Sequence, residues 1–121
     1  MRLLLVEDCS DLRHLFARIL ERHGHQVYAA SDGGEALDLA PVFRPEVVVT
    51  DLMMPGVDGL ELIRRLREMP DLGGVPIVAM SAAATAESER RVREAGAAAL
   101  LVKPIDVGLL LSSIEAAAGD G

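Results

Sequence analysis

The sequence predicts an α/β fold, a doubly wound (βα)5 chain forming a five-stranded parallel sheet with helices on both faces. Three observations predict it. Short continuous apolar runs recur along the chain, segments with helical spacing lie between them, and polar groups close the runs at their C-terminal ends. Runs of three or four apolar residues mark strands buried on both faces of a parallel sheet. Alternation of such strands with helices, joined by right-handed crossovers, gives the wound sheet.

The first strand is predicted at residues 3–6, followed by a helix whose inward stripe is Leu12, Leu15, Phe16, Ile19 and Leu20. Residues 26–30 form a weaker second strand, and a second helix is expected over 34–43 with Asp32 or Gly33 at its cap. The third strand is residues 47–49, and the helix after it turns Leu62, Ile63 and Leu66 inward. The fourth strand is residues 77–80. The following segment, 82–95, has the poorest helical pattern, because Val92 is its only large apolar residue, and is expected to be the most mobile. The fifth strand is residues 100–102, and the last helix starts from an Asp106 cap with Val107, Leu110, Leu111 and Ile114 inward. Gly24, Pro45, the Gly73, Gly74, Val75, Pro76 stretch and Gly96 punctuate helix ends.

A chain of 121 residues fits one domain. We assign residues 1–118 to it and 119–121 to a tail or the start of a linker; the first strand begins so near Met1 that the N-terminus reads as native. Half the residues are hydrophobic but only 2% are aromatic, so the core is aliphatic. The net charge of -7 argues against direct nucleic-acid binding, which needs clustered cations, and favours cations or basic partner surfaces. No apolar run approaches the ~18 residues of a membrane span, and no signal peptide is visible, so a cytoplasmic location is expected. The single Cys9 has no partner for an internal disulfide and is expected to be a quiet buried thiol.

In open α/β sheets, ligands bind beyond the carboxyl ends of the strands. Those ends here carry Glu7 and Asp8, then Asp51, Ser81 and Lys103. Strand ends are polar in most proteins, so each residue alone carries little; the joint placement of five groups carries the inference. Carboxylates gathered there repel one another, by about 4 kcal/mol for charges ~4 Å apart at an effective dielectric of 20. A hard divalent cation such as Mg2+ suits an all-oxygen site with room for phosphate oxygens. With Lys103 as a further cation and Ser81 as a hydroxyl donor, the groups describe a place for a phosphoryl group. Asp51 would be its nucleophile, because it enters the irregular loop Leu52, Met53, Met54, Pro55, Gly56.

These motifs resemble the response-regulator receiver family over the whole chain. Leu4 to Asp8 is similar to the family's acidic pair after its first strand, Thr50 to Gly59 to its phosphoacceptor loop, Ser81 to its switch hydroxyl, and Lys103 with Pro104 to its Lys-Pro pair. The resemblance implies a flavodoxin-like sheet of strand order 2-1-3-4-5 and a phosphoacceptor role in two-component signalling. It also implies that Asp51 takes phosphoryl from a histidine kinase or phosphotransfer protein, or from small phosphodonors. Glu7, Asp8, Asp51 and the Met53 carbonyl would arrange Mg2+, with Lys103 and Ser81 on the phosphoryl oxygens. A cis peptide before Pro104 is implied as well.

One departure stands out. The family often has an aromatic residue three before the lysine, and here that position is Leu100, so no aromatic rotamer switch is available and Ser81 with its loop is expected to carry the signal. Met53 and Ala83, which flank the acceptor, are apolar and cannot orient an attacking water, so the aspartyl phosphate is expected to hydrolyse slowly, in a switch rather than an enzyme.

Other polar residues read as structure. His14, His23 and His25 lie off the carboxylate cluster, and Arg64, Arg65, Arg67 and Arg90, Arg91, Arg93 read as solvated helix faces. Leu109 falls off the inward stripe and, with Leu100, would form an exposed apolar patch for a partner or a weak homodimer. A haloacid-dehalogenase-like hydrolase also uses an aspartyl nucleophile at a strand end, but it needs an Asp two residues later, where this chain has Met53. A receiver-like module that only binds would have no reason to keep all five groups.

Overall fold

The computed structural model describes residues 1–54 and 56–119. Five parallel strands, β1 (Arg2–Val6), β2 (Gln26–Ala30), β3 (Val47–Asp51), β4 (Ile77–Ser81) and β5 (Ala99–Val102), form one sheet in the order β2-β1-β3-β4-β5. The helices are α1 (Ser10–Arg22), α2 (Gly33–Phe43), α3 (Gly59–Glu68), α4 (Ala86–Ala95) and α5 (Val107–Gly119). This is the architecture and strand order expected above, with every predicted strand present.

Alternation along the strands sends successive side chains to opposite faces, which builds two aliphatic cores. Leu4, Val6, Val48, Ile77 and Ala79 face α2, α3 and α4, meeting Ala36, Leu62, Ile63, Leu66 and Val92. Leu3, Leu5, Val49, Val78 and Met80 face α1 and α5, meeting Phe16, Leu20, Leu110 and Ile114. All residues of β3 and β4 are buried, as expected for the central strands. Fully burying a Leu or Ile side chain contributes ~1.5–3 kcal/mol, so the two layers dominate the stability of the fold.

Helix starts follow local chemistry. The Asp32 carboxylate accepts the Glu35 N–H at 2.8 Å and opens α2 at Gly33, and the Asp58 carboxylate does the same for α3 through Glu61 N–H at 2.9 Å. Asp106 accepts the Leu109 N–H at 2.8 Å, as an N-cap should. The weakly patterned segment forms a helix only from Ala86, after Thr85 and Ser88 exchange a capping box; Ala82, Ala83 and Ala84 stay outside it and exposed. Gly59 opens α3 hard against β3, where a Cβ would overlap the Asp51 carbonyl oxygen. The turn after β3 therefore requires glycine.

Several expectations are corrected. Cys9 is exposed rather than buried, because β1 ends at Val6 and Cys9 falls in the turn before α1. Leu15 is 51% exposed and Val107 37%, each lying at the rim of its helix's inward stripe; Leu110 and Ile114 carry the α5 packing. Leu100 is half-buried against the α2–α4 side of the core, so it does not join the exposed Leu109 in a patch. Arg67 is not solvated: its guanidinium donates to the carbonyls of Gly73 (3.0 Å), Val75 (2.6 Å) and Gly96 (2.6 Å). Lys103-Pro104 is cis, as expected. The last helix includes Gly119, and the remaining tail residues, like Pro55, lie outside the described residues.

Candidate functional site

β1, β3 and β5 lie in one sheet and run in parallel, so their C-terminal ends share one edge. That alone brings residues far apart in sequence together: Glu7 and Asp8 from the turn after β1, Asp51 from the last position of β3, and Lys103 from the first position after β5. One carboxylate oxygen from each of Glu7, Asp8 and Asp51 lies within 4.8 Å of the others. The Lys103 amine reaches into this group, donating to Glu7 Oε1 at 2.9 Å and Asp51 Oδ2 at 3.0 Å.

The four groups differ in exposure, and their electrostatics follow from it. The Glu7 side chain is fully buried, the Asp51 side chain is 6% exposed and Lys103 is 19% exposed, while Asp8 faces solvent. Burial raises the Glu7 pKa above its ordinary value, only partly opposed by the bond from Lys103 and the N–H of Cys9; the Asp51 charge pushes it up further. Burial alone would lower the Lys103 pKa, yet its bonds to Glu7 and Asp51 outweigh that and the net direction is up. The two partners of one ion pair thus shift in the same direction. Lys103 has two carboxylate partners to offset its lesser burial, whereas Glu7 has one lysine against complete side-chain burial and the Asp51 charge.

Asp51 is held at both oxygens: Lys103 on Oδ2, and the N–H of Met53 on Oδ1 at 3.3 Å. The Lys103 amine is thus one of the two groups that a phosphoryl donor must displace from the carboxylate oxygens. Three carboxylates with one amine leave an excess of negative charge, the donor set that hard divalent cations take. Among the described residues no buried side-chain polar atom is left without a partner.

The Ser81 hydroxyl makes no bond to this cluster, although the Ser81 carbonyl accepts the Lys103 N–H at 2.8 Å. The residue is buried at the end of β4, but its hydroxyl donates to the Ala83 carbonyl at 2.6 Å and accepts the Ala83 N–H at 3.3 Å, closing a small loop on itself. Met53 is 74% exposed beside the acceptor. Of the predicted site residues, the structure therefore brings together the side chains of Glu7, Asp8, Asp51 and Lys103, and holds the Ser81 hydroxyl in its own turn. His14 and His23 are exposed, and His25 hydrogen-bonds the Met1 amine at 3.3 Å, away from the carboxylates.

Two neighbours of the site escaped the sequence reading. Thr50, fully buried, donates its hydroxyl to the Asp51 carbonyl at 2.9 Å. Arg13, one turn into α1, donates to the Glu7 carbonyl at 2.9 Å and more weakly to the Asp8 carbonyl at 3.4 Å. The only hint of Arg13 in the sequence was its spacing after the acidic pair, within reach of a turn that lacks an ordinary capping side chain.

Comparison with known proteins gives one consistent result. A family model described as the response regulator receiver domain matches residues 3–115. The polar-differentiation response regulator DivK of Brucella anthropi is 34% identical over 117 residues, covering 97% of this chain and 95% of that protein. Among solved structures, the chemotaxis protein CheY4 of Vibrio cholerae superposes with a TM-score of 0.92 at 28% identity, covering 96% of this chain and 97% of that one. A putative response regulator from Chloroflexus aurantiacus gives a TM-score of 0.92 at 28% identity, over 98% and 97% of the two chains.

Proposed function

Because this chain belongs to the response regulator receiver domain family and so has a phosphoacceptor role in two-component signalling, we propose that Asp51 is the residue that receives the phosphoryl group. The single observation that carries this reading is the Lys103 amine, 2.9 Å from Glu7 and 3.0 Å from Asp51, closing an otherwise acidic pocket.

In the reaction, an oxygen of Asp51 forms a bond to phosphorus as the bond from phosphorus to the donor's leaving group breaks. From a histidine kinase or phosphotransfer protein the leaving group is the histidine imidazole, which stays on the donor; from a small acyl phosphate it is the carboxylate. The product is an aspartyl phosphate. Glu7, Asp8, Asp51 and the Met53 carbonyl are the groups that would hold Mg2+, which when bound neutralises charge on the phosphoryl oxygens. The Lys103 amine, already beside Asp51, moves from carboxylate to phosphoryl oxygen with little displacement. The Ser81 hydroxyl, now donating to Ala83, releases that carbonyl to donate to the new phosphoryl group, and the exposed turn of Ala82 to Ala84 shifts with it. That exchange would report phosphorylation to partners without an aromatic switch, since Leu100 occupies the aromatic's place.

The protein would act as a switch rather than an enzyme in this reading. Met53 and Ala83 offer no side-chain hydrogen bond to an attacking water, which favours slow loss of the phosphoryl group. No helix among the described residues is long and apolar enough to cross a membrane, in keeping with action in the cytoplasm. Incubation with a labelled acyl phosphate and Mg2+ tests the assignment. An adduct that persists for minutes and is absent from Asp51→Asn is expected; undiminished labelling of Asp51→Asn, or steady turnover of the donor, would sink it.

A further inference from the structure

The acidic turn between β1 and α1 is only three residues long, and it carries two of the three clustered carboxylates. Glu7 is fixed through its side chain, with Lys103 on Oε1 and the Cys9 N–H on Oε2 at 3.2 Å. Asp8 is exposed, and among the described residues its carboxylate takes no hydrogen bond, so its position depends on the backbone beneath it. That backbone lacks the usual support: Cys9 sits at the helix N-cap and makes no side-chain capping bond.

Arg13 supplies the missing restraint. A single nitrogen, Nη1, spans the consecutive carbonyls of Glu7 and Asp8, while the Arg13 N–H closes the first turn of α1 on the Cys9 carbonyl at 2.9 Å. Half-buried and forming no ion pair among the described residues, this cation directs its donors to neutral carbonyls although three carboxylates lie nearby. We propose that Arg13 is a positioning residue for the divalent cation, holding the Glu7–Asp8 turn so that the exposed Asp8 carboxylate stays within ligand distance of Asp51. The inference rests on the metal-dependent phosphoacceptor reading above.

The direction of the effect separates this role from a simple charge effect. As a nearby positive charge, Arg13 would repel Mg2+, and its removal would tighten binding. As a restraint on the ligands its removal loosens binding, and loss of a group that orients metal ligands commonly costs about 10–100-fold in affinity. With one exposed ligand at stake, the lower end of that range applies.

The test is titration of the unphosphorylated protein with MgCl2, followed by the amide shifts of Cys9 and Leu52 in wild type, Arg13→Met and Arg13→Lys. The Kd for Mg2+ is expected to rise about tenfold in Arg13→Met. It should recover to within about threefold of wild type in Arg13→Lys, whose ammonium can also donate to both carbonyls. At saturating Mg2+ the labelling rate of Arg13→Met returns to within about twofold of wild type, since Arg13 touches no reacting atom. Thermal melts control for folding, and Arg13→Leu, which also lacks a donor, carries the same comparison if Arg13→Met is not folded. An unchanged or lower Kd in Arg13→Met overturns the proposal while leaving the phosphoacceptor reading intact. Wild type that shows no Mg2+ response overturns both.

Discussion

Two partly buried cations sit at opposite ends of the sheet, and their partners differ in kind. At the carboxyl ends of the strands, Lys103 bridges two carboxylates, Glu7 and Asp51. At the amino ends, Arg67 bridges three carbonyls, from Gly73 and Val75 before β4 and from Gly96 before β5. A lysine is a compact, rotatable charge, and its carboxylate partners can equally accept a metal ion or share the amine with a phosphoryl group. A guanidinium is a planar fork whose donors match several fixed carbonyls, and three neutral carbonyls gather no net negative charge to draw in a metal ion. The same device, a buried cation joining distant segments, is therefore exchangeable at one end and a permanent staple at the other.

Mutating each cation should break that comparison along the expected line. Lys103→Met should slow labelling of Asp51 by at least about a hundredfold, the usual loss when a group that stabilises developing negative charge is removed. Arg67→Met should leave the labelling rate within about twofold but lower unfolding free energy by about 2–4 kcal/mol in urea titrations, from the loss of hydrogen bonds to a charged donor. A labelling defect in Arg67→Met as large as that of Lys103→Met would show that the two ends are not separable.

A smaller effect sharpens the staple. Gly96 caps α4 with φ +113°, and a Cβ there would sit 2.5 Å from Arg67 Nε. Gly96→Ala should cost about 1–3 kcal/mol from backbone strain and displacement of the guanidinium. In Arg67→Met the crowding is gone, so the cost there should fall toward the backbone part alone, and a double-mutant cycle measures the difference.

The smallest effect is in pH dependence at the exchangeable end. Lys103 has a folded-state pKa above 10.5, so its contribution is complete below that value and is lost as pH rises through the folded one. Glu7 also titrates above its ordinary 4.5, because burial disfavours its charge; the folded state holds that proton more tightly, and stability falls as pH rises from 4.5 through the folded value. Lys103→Met removes the strongest influence that lowers the Glu7 pKa, so carboxyl carbon shifts should show Glu7 titrating still higher. A Glu7 titration that stays put or moves down would mean the lysine does not govern it.

The strands were legible in the sequence to within a residue or two, because continuous aliphatic runs leave little choice of state; Gln26–Ala30 was placed to the residue despite its weak pattern. Two helix caps were legible too, since Asp32 and Asp106 act on backbone only three residues away; those at Asp58 and Thr85 were not read. Amphipathic rims were misread. Leu15 and Val107 satisfy helical spacing, but whether a rim position is covered depends on the neighbouring element, and here neither is. Arg67 reads as one of three clustered surface arginines, and nothing within its own helix distinguishes it from Arg64 or Arg65.

What the chain determined unaided was the order of strands and helices and the placing of acidic, hydroxyl and amine groups at strand ends, for both depend on interactions a few residues long. The tertiary structure alone decided that Lys103 is shared between Glu7 and Asp51, that Asp8 is left open to solvent, and that Arg67 turns to carbonyls, Gly96 among them, instead of acids. Those choices are made between segments up to 96 residues apart. They follow from which strand ends the folded sheet sets side by side, a matter of packing that no local pattern encodes.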